Sequence, residues 1–129
     1  MGHLRILIAD DHEVVRRGLT TLLSSPPGWT VCAEASRGRE AVALAAQHRP
    51  DIVVMDIVMP GLNGLEATRK IRKMLPKTEV VILSLHYSDQ LVRDVVDTGA
   101  RAYVLKSDAS RDLLSAVEWR VFRLVIFAP

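Results

Sequence analysis

The sequence has 129 residues, 49% of them apolar and 25% charged, with a net charge of +2 and a pI near 9.0. Such a chain is one globular domain with a sizeable core, which excludes a disordered protein, and it is too mildly basic to argue for nucleic acid. No apolar stretch is long enough to span a membrane, no signal peptide is expected, and the lone Cys32 excludes an internal disulfide, so a cytoplasmic protein is expected.

Leu4–Ala9 is an apolar run that reads as a buried strand and ends in Asp10-Asp11. Val14, Val15, Leu19, Leu22 and Leu23 keep a helical spacing over about residues 12–24. Ser24 to Gly28, with two prolines, is a loop. Thr30 to Glu34 predicts a short strand at the edge of a sheet, with Cys32 as a buried, inert thiol. Residues 37–48 predict an Ala-rich helix that stops before Pro50. Ile52 to Met55 is a short apolar strand running into Asp56, with Pro60 and Gly61 forcing a turn beyond it. Asn63 and Glu66 have the spacing of a capping box, opening a helix over about 64–75 that Pro76 ends. On that helix Arg69, Lys70, Arg72 and Lys73 read as a solvated face. Val80 to Leu83 is a fourth strand, ending at Ser84. Ser88 caps a helix that runs to Thr98, with Gly99 just past its end. Ala102 to Leu105 is the fifth strand and ends at Lys106, and Ser110 is expected to cap a last helix carrying Leu113, Leu114 and Val117 on one face.

Five strands thus alternate with five helices, giving an α/β fold. Strands that are apolar throughout are buried on both faces, which a parallel sheet with helices on each side requires. Right-handed crossovers reduce the topology to a doubly wound sheet, and such sheets bind ligands beyond the carboxyl ends of their strands. That edge is where Asp10, Asp11, Asp56, Ser84 and Lys106 fall. Three carboxylates in one pocket repel each other, and a hard cation such as Mg²⁺ removes the conflict. Lys106 offers a point charge to a phosphoryl oxygen, Ser84 a hydroxyl donor, and an aspartate can itself accept a phosphoryl group. His12, His48 and His86 have no metal-ligand spacing, and His12 reads as a polar residue at a helix start.

These residues carry a resemblance. Ile8-Ala9-Asp10-Asp11-His12, the run from Asp56 to Gly64, Ser84, and Gly99-Ala-Arg-Ala-Tyr-Val-Leu-Lys-Ser resemble the receiver domain of two-component response regulators, most similarly those of NarL/FixJ type. The likeness covers residues from about 4 to 118, within a domain of 1–120. It implies the flavodoxin-like (βα)5 fold, a five-stranded parallel sheet in the order 2-1-3-4-5. It implies that Asp56 is the phospho-acceptor, served by a sensor histidine kinase. Asp11, Asp56 and the Val58 backbone carbonyl would hold Mg²⁺, Asp10 would act through water, and Lys106 and Ser84 would contact the phosphoryl group. Ser84 and Tyr103 would form the switch, read out on the face of the fourth helix, fifth strand and fifth helix. Such a chain catalyses only its own phosphorylation and dephosphorylation and is not a turnover enzyme. Val58 and His86 stand where the family tunes access of the hydrolytic water, so slow self-dephosphorylation is expected.

Regulators of this type continue into a helix-turn-helix domain, and the residues after 118 do not read as one. DNA binding is therefore not expected of these 129 residues, although the parent is expected to regulate transcription. Residues 121–129 form an apolar tail in which Val121, Leu124 and Val125 continue a helical spacing from Val117, which would extend the last helix and favour a homodimer. An aspartate-nucleophile phosphatase needs an acid where Val58 stands, and a flavin carrier needs a phosphate-cradling first loop where Asp10-Asp11-His12-Glu13 stands. The alternative that remains is a receiver-like interaction module that is never phosphorylated.

Overall fold

The computed structural model describes residues 3–118 and the backbone of 125–127. Strands β1 (Leu4–Ala9), β2 (Trp29–Ala35), β3 (Ile52–Asp56), β4 (Glu79–Ser84) and β5 (Ala102–Leu105) are all parallel. They lie in the order 2-1-3-4-5, as expected, with helices α1 (Glu13–Leu23), α2 (Gly38–His48), α3 (Gly64–Met74), α4 (Asp89–Thr98) and α5 (Ala109–Glu118) between and after them.

The two-residue period of each strand divides the core. Leu7, Val53, Met55, Val80, Ile82 and Tyr103 face α2, α3 and α4 and meet Ala41, Ala45, Ile71 and Val95. Ile6, Ile8, Ile52, Val54, Val81 and Val104 face the other way, toward Leu19 and Leu23 of α1 and Leu113 and Val117 of α5. Every residue of β3 is buried, Asp56 included. Burying each of its four apolar side chains stabilises the fold by about 1.5–3 kcal/mol, so the core fixes where Asp56 must stand.

Local signals set the helix ends. Asn63 Oδ1 accepts the Glu66 backbone N–H at 3.0 Å and Ser88 Oγ accepts that of Leu91 at 3.1 Å. Gly99 closes α4 at φ +81°, a conformation that costs glycine little. Arg49 does the same for α2 at φ +47° without being glycine, and Arg5 donates to its carbonyl at 3.3 Å.

Four expectations need correction. β2 is longer than the five residues anticipated, and its register against β1 shifts between Ile6 and Leu7. Cys32, in this edge strand, is half-buried rather than buried; burial is the main reason its thiol pKa is raised, with Arg5 opposing. Ser110 is not a cap: Lys106–Asp108 form a 3₁₀ turn that feeds α5 directly, so Ser110 lies inside the helix. The sheet also has a sixth strand, β6 (Val125–Phe127), parallel to β5. Residue 125 was expected to continue the last helix, but Val, Ile and Phe suit a strand better, and the edge of β5 offers them a ladder. The remainder of the expected extension falls on residues outside those described.

Candidate functional site

β3 delivers Asp56 to the carboxyl-end rim, where it is 4% exposed. Beside it, just past β1, Asp10 is completely buried. Lys106, just past β5, reaches across β4 to both: its Nζ lies 2.8 Å from Asp10 Oδ2 and 3.2 Å from Asp56 Oδ2. Two carboxylates thus share one ammonium. Burial, then the charge of Asp10, pushes the Asp56 pKa up from the usual aspartate range, with Lys106 opposing and Asp11 adding to the rise. For Lys106, burial acts to lower the pKa, but its hydrogen bond to Asp10 and the charges of Asp56 and Asp10 outweigh burial and raise it.

Asp11 and His12 complete the rim. His12 Nδ1 lies 3.1 Å from Asp11 Oδ1 and 3.4 Å from Asp10 Oδ1. Asp10, Asp11, His12 and Asp56 each offer one ligand atom, all within 4.8 Å of one another. Three carboxylates against one lysine leave surplus negative charge, and oxygen donors in this number fit a hard divalent cation. His12 stands where a helix-start residue was expected, immediately before α1, and its imidazole also belongs to this cluster.

Ser84 and Tyr103 lie on the other side of the same rim. Ser84 is buried and its Oγ accepts the His86 backbone N–H at 3.0 Å. Tyr103 is fully buried on the α4 face, its hydroxyl donates to the His86 carbonyl, and its ring lies 5.8 Å from that of Tyr87. Burial raises its pKa, an interaction with the Ser84 hydroxyl lowers it, and Tyr87 adds to the rise. Both residues therefore grip the β4–α4 loop at His86. The Val58 side chain, by contrast, is 72% exposed.

Two supporting residues escaped the sequence reading. Arg16 donates from its guanidinium to the Asp10 carbonyl at 2.8 Å and pairs with Glu34 at 3.2 Å, tying β1's end to β2. Its place one helical turn after His12 was the available signal. Gly64 opens α3 hard against the strand: its N–H donates to the Ile57 carbonyl at 2.8 Å, and a Cβ there would sit 1.9 Å from the Asp56 carbonyl oxygen. A glycine at a helix start that no turn required was the clue.

The model for the response regulator receiver domain matches residues 6–118. The chain belongs to this family. Receivers similar to it include that of the transcriptional regulatory protein LiaR of Bacillus subtilis, 39% identical over 114 residues, which are 88% of this chain and 54% of LiaR. The chain thus spans about half the length of the curated relatives it matches. A two-component response regulator of the LuxR family from Aurantimonas superposes with a TM-score of 0.86 at 39% identity, over 90% of this chain and 83% of that one. The CheX–CheY–BeF3–Mg complex from Borrelia burgdorferi superposes at 0.82 and 29% identity, over 88% of this chain and 86% of that one. Receiver membership accounts for the sheet order and for the acidic rim together. Among the described residues, no helix is long and apolar enough to cross a membrane.

Proposed function

We propose that this receiver is a cytoplasmic phosphorylation switch in which Asp56 accepts a phosphoryl group from a phosphohistidine of a sensor histidine kinase. The observation that carries the reading is the pairing of a buried Asp56 with Lys106 Nζ at 3.2 Å inside a surplus of carboxylates. A raised pKa makes the Asp56 carboxylate a more basic nucleophile, provided that a cation keeps it ionised. Its oxygen attacks phosphorus as the bond from phosphorus to the imidazole nitrogen breaks. Lys106 then follows the transferred charge, moving from the carboxylates to a phosphoryl oxygen. The Ser84 hydroxyl, now accepting from His86, is the right group to turn and donate to another. Asp11, Asp56 and the Val58 carbonyl would hold Mg²⁺, with Asp10 acting through water. Mg²⁺, when bound, supplies neutralisation of the charge on the phosphoryl oxygens.

The reorientation of Ser84 is the switch. Tyr103 and Ser84 share the His86 loop, so drawing Ser84 toward a phosphoryl group alters how that loop and Tyr103 sit on the face of α4, β5 and α5. The activity is one of switching; turnover is limited to the chain's own acyl phosphate. Val58 cannot hydrogen-bond a hydrolytic water, so that acyl phosphate is long-lived. The parent is a transcription regulator, as LiaR is, and these 129 residues do not themselves bind DNA.

Intact mass after incubation with acetyl phosphate tests this. One phosphoryl adduct that needs Mg²⁺ and disappears in Asp56→Asn is the expected result. A folded, Mg²⁺-binding chain that takes no adduct would sink the proposal in favour of an unphosphorylated interaction module, and an adduct lost within seconds would overturn the assignment of Val58.

A further inference from the structure

The strand β6 takes an unusual place in the sheet relative to α5, the helix before it. The steps β2 to β3, β3 to β4 and β4 to β5 all move in one direction across the sheet. Their helices, α2, α3 and α4, lie on the face containing Ala41, Ile71 and Val95. The step β1 to β2 moves the opposite way, and α1 lies on the opposite face with Leu19 and Leu23. Reversing both direction and face preserves the hand, so these four crossovers share one hand. α5 lies on the α1 face through Leu113, Ala116 and Val117, yet β6 continues in the direction of β3, β4 and β5. Direction is kept while the face is reversed. The unit β5–α5–β6 therefore has the opposite hand to the other four crossovers among the described residues.

Parallel crossovers are right-handed in about 98% of cases, because a twisted strand and its helix pack back on the sheet well only that way. The objection holds only while β5 and β6 belong to one copy. The ladder itself has nothing unusual about it: Ala102, Tyr103 and Val104 stand opposite Val125, Ile126 and Phe127 in unbroken register. We propose that Val125–Phe127 pairs with β5 of a second copy of this chain, which returns its own strand, building a homodimer by reciprocal strand exchange.

Three features support that occupant. Residues 3–118 alone leave β5 at the edge of the sheet, where its backbone donors and acceptors need a parallel strand such as Val125–Phe127. The donor segment is uncharged and made of strong strand formers, and residues 119–127 are apolar in seven of nine positions, a composition that a lone domain has little means to cover. The six residues between Glu118 and Val125 span at most about 20 Å, enough to pass between two copies in contact but not to reach a distant one. Exchange keeps every β5–β6 hydrogen bond and removes the reversed crossover.

The test uses the 129-residue chain carrying Cys32→Ser. One copy bears Val104→Cys, the other Phe127→Cys, and one of them is isotopically labelled. Oxidation of the mixture is expected to yield a disulfide joining a labelled to an unlabelled chain. Sedimentation equilibrium is expected to show a doubling of mass with rising concentration. Val125→Pro with Ile126→Pro, which removes the N–H groups of both strand alternations, is expected to return the monomer with an unchanged far-UV spectrum. A chain that stays monomeric at all concentrations overturns the proposal. So does a dimer that the double proline leaves intact, or an oxidised mixture in which no disulfide joins a labelled to an unlabelled chain although a chain carrying both cysteines closes its own. None of these readouts depends on a phosphoryl group, so this inference and the switch can fail separately.

Discussion

Two aspartates bracket the same strand and do different work. Asp51 precedes β3 and Asp56 ends it. Asp51 is exposed, its carboxylate accepts the Arg5 backbone N–H at 2.9 Å, and its own carbonyl accepts the Glu79 N–H at 3.0 Å. Around it Thr78 Oγ1 donates to the Pro50 carbonyl at 2.7 Å, and Arg5 donates to the carbonyls of His48 and Arg49. These polar groups at the amino-end rim are each spent on another part of the fold. At the carboxyl-end rim Asp56 is buried beside Asp10 with one lysine between them. The first rim gains stability from its polar groups, and the second holds charge in conflict. Charge in conflict is what a cation and a phosphoryl group can resolve, and under the proposed function this is the physical difference between a stitched rim and a reactive one.

The largest effect should come from the residue that lets the reactive rim close. Gly64→Ala would drive a methyl group to 1.9 Å from the Asp56 carbonyl, where only backbone could yield. We expect a loss of about 3 kcal/mol in urea unfolding, typical of overpacking against a rigid neighbour. The same substitution at Gly61 meets no neighbouring atom and carries only the strain of its φ of +74°, so it should cost about 1–2 kcal/mol. Equal losses at the two positions would mean that the close approach of α3 to β3 is not what holds the loop.

Next comes the shared cation. Lys106→Met leaves Asp10 and Asp56 buried without their ammonium. Stability at neutral pH should fall by about 2 kcal/mol, less than for an inescapable buried charge because Asp56 can take up a proton. Phosphorylation by acetyl phosphate should slow as well.

Asp56→Asn should act in the opposite sense. Its carboxyl pKa is raised by burial and then by Asp10. Between the ordinary aspartate pKa and this higher folded value, the folded chain binds more protons than the unfolded one. Stability therefore falls as pH rises through that window and does not return above it. In metal-free buffer, Asp56→Asn should raise Tm at neutral pH, with the gain shrinking as the pH approaches the ordinary aspartate pKa. A gain that stays constant with pH would show that the carboxylates are not in conflict. Asp51→Asn, which keeps an acceptor for Arg5, should change little at any pH.

The rims were not equally legible in the sequence. Strands, helices and the residues at the carboxyl-end rim followed from apolar runs ending in Asp10, Asp56, Ser84 and Lys106, because a strand buried on both faces leaves polar residues only at its ends. Caps at Asn63, Ser88 and Gly99 were readable because their chemistry is local. The hydrogen bond of Thr78 to Pro50, the clamp of Arg16 on Asp10 and the contact of Gly64 with Asp56 were not, because each joins segments that only the folded sheet brings together. The tail was misread for a related reason. Its apolar spacing is compatible with a helix, and what favours a strand at 125–127 is the open edge of β5, which no local pattern announces.

The smallest effect belongs to the stitched rim and gives the comparison its control. Thr78→Val keeps the shape of a buried side chain and removes the donor to the Pro50 carbonyl. Deleting one partner of a buried hydrogen bond costs about 1 kcal/mol, and somewhat more if no water reaches the abandoned carbonyl. The loss should be independent of pH and of Mg²⁺, since no titrating group lies in the bond, and the yield of acyl phosphate on Asp56 should be unchanged. If Thr78→Val instead altered phosphorylation, the two ends of β3 would have to communicate along the strand. The division into a rim that holds the fold and a rim that uses it would then fail, because the strand between them, buried over its whole length, would be carrying signal as well as support.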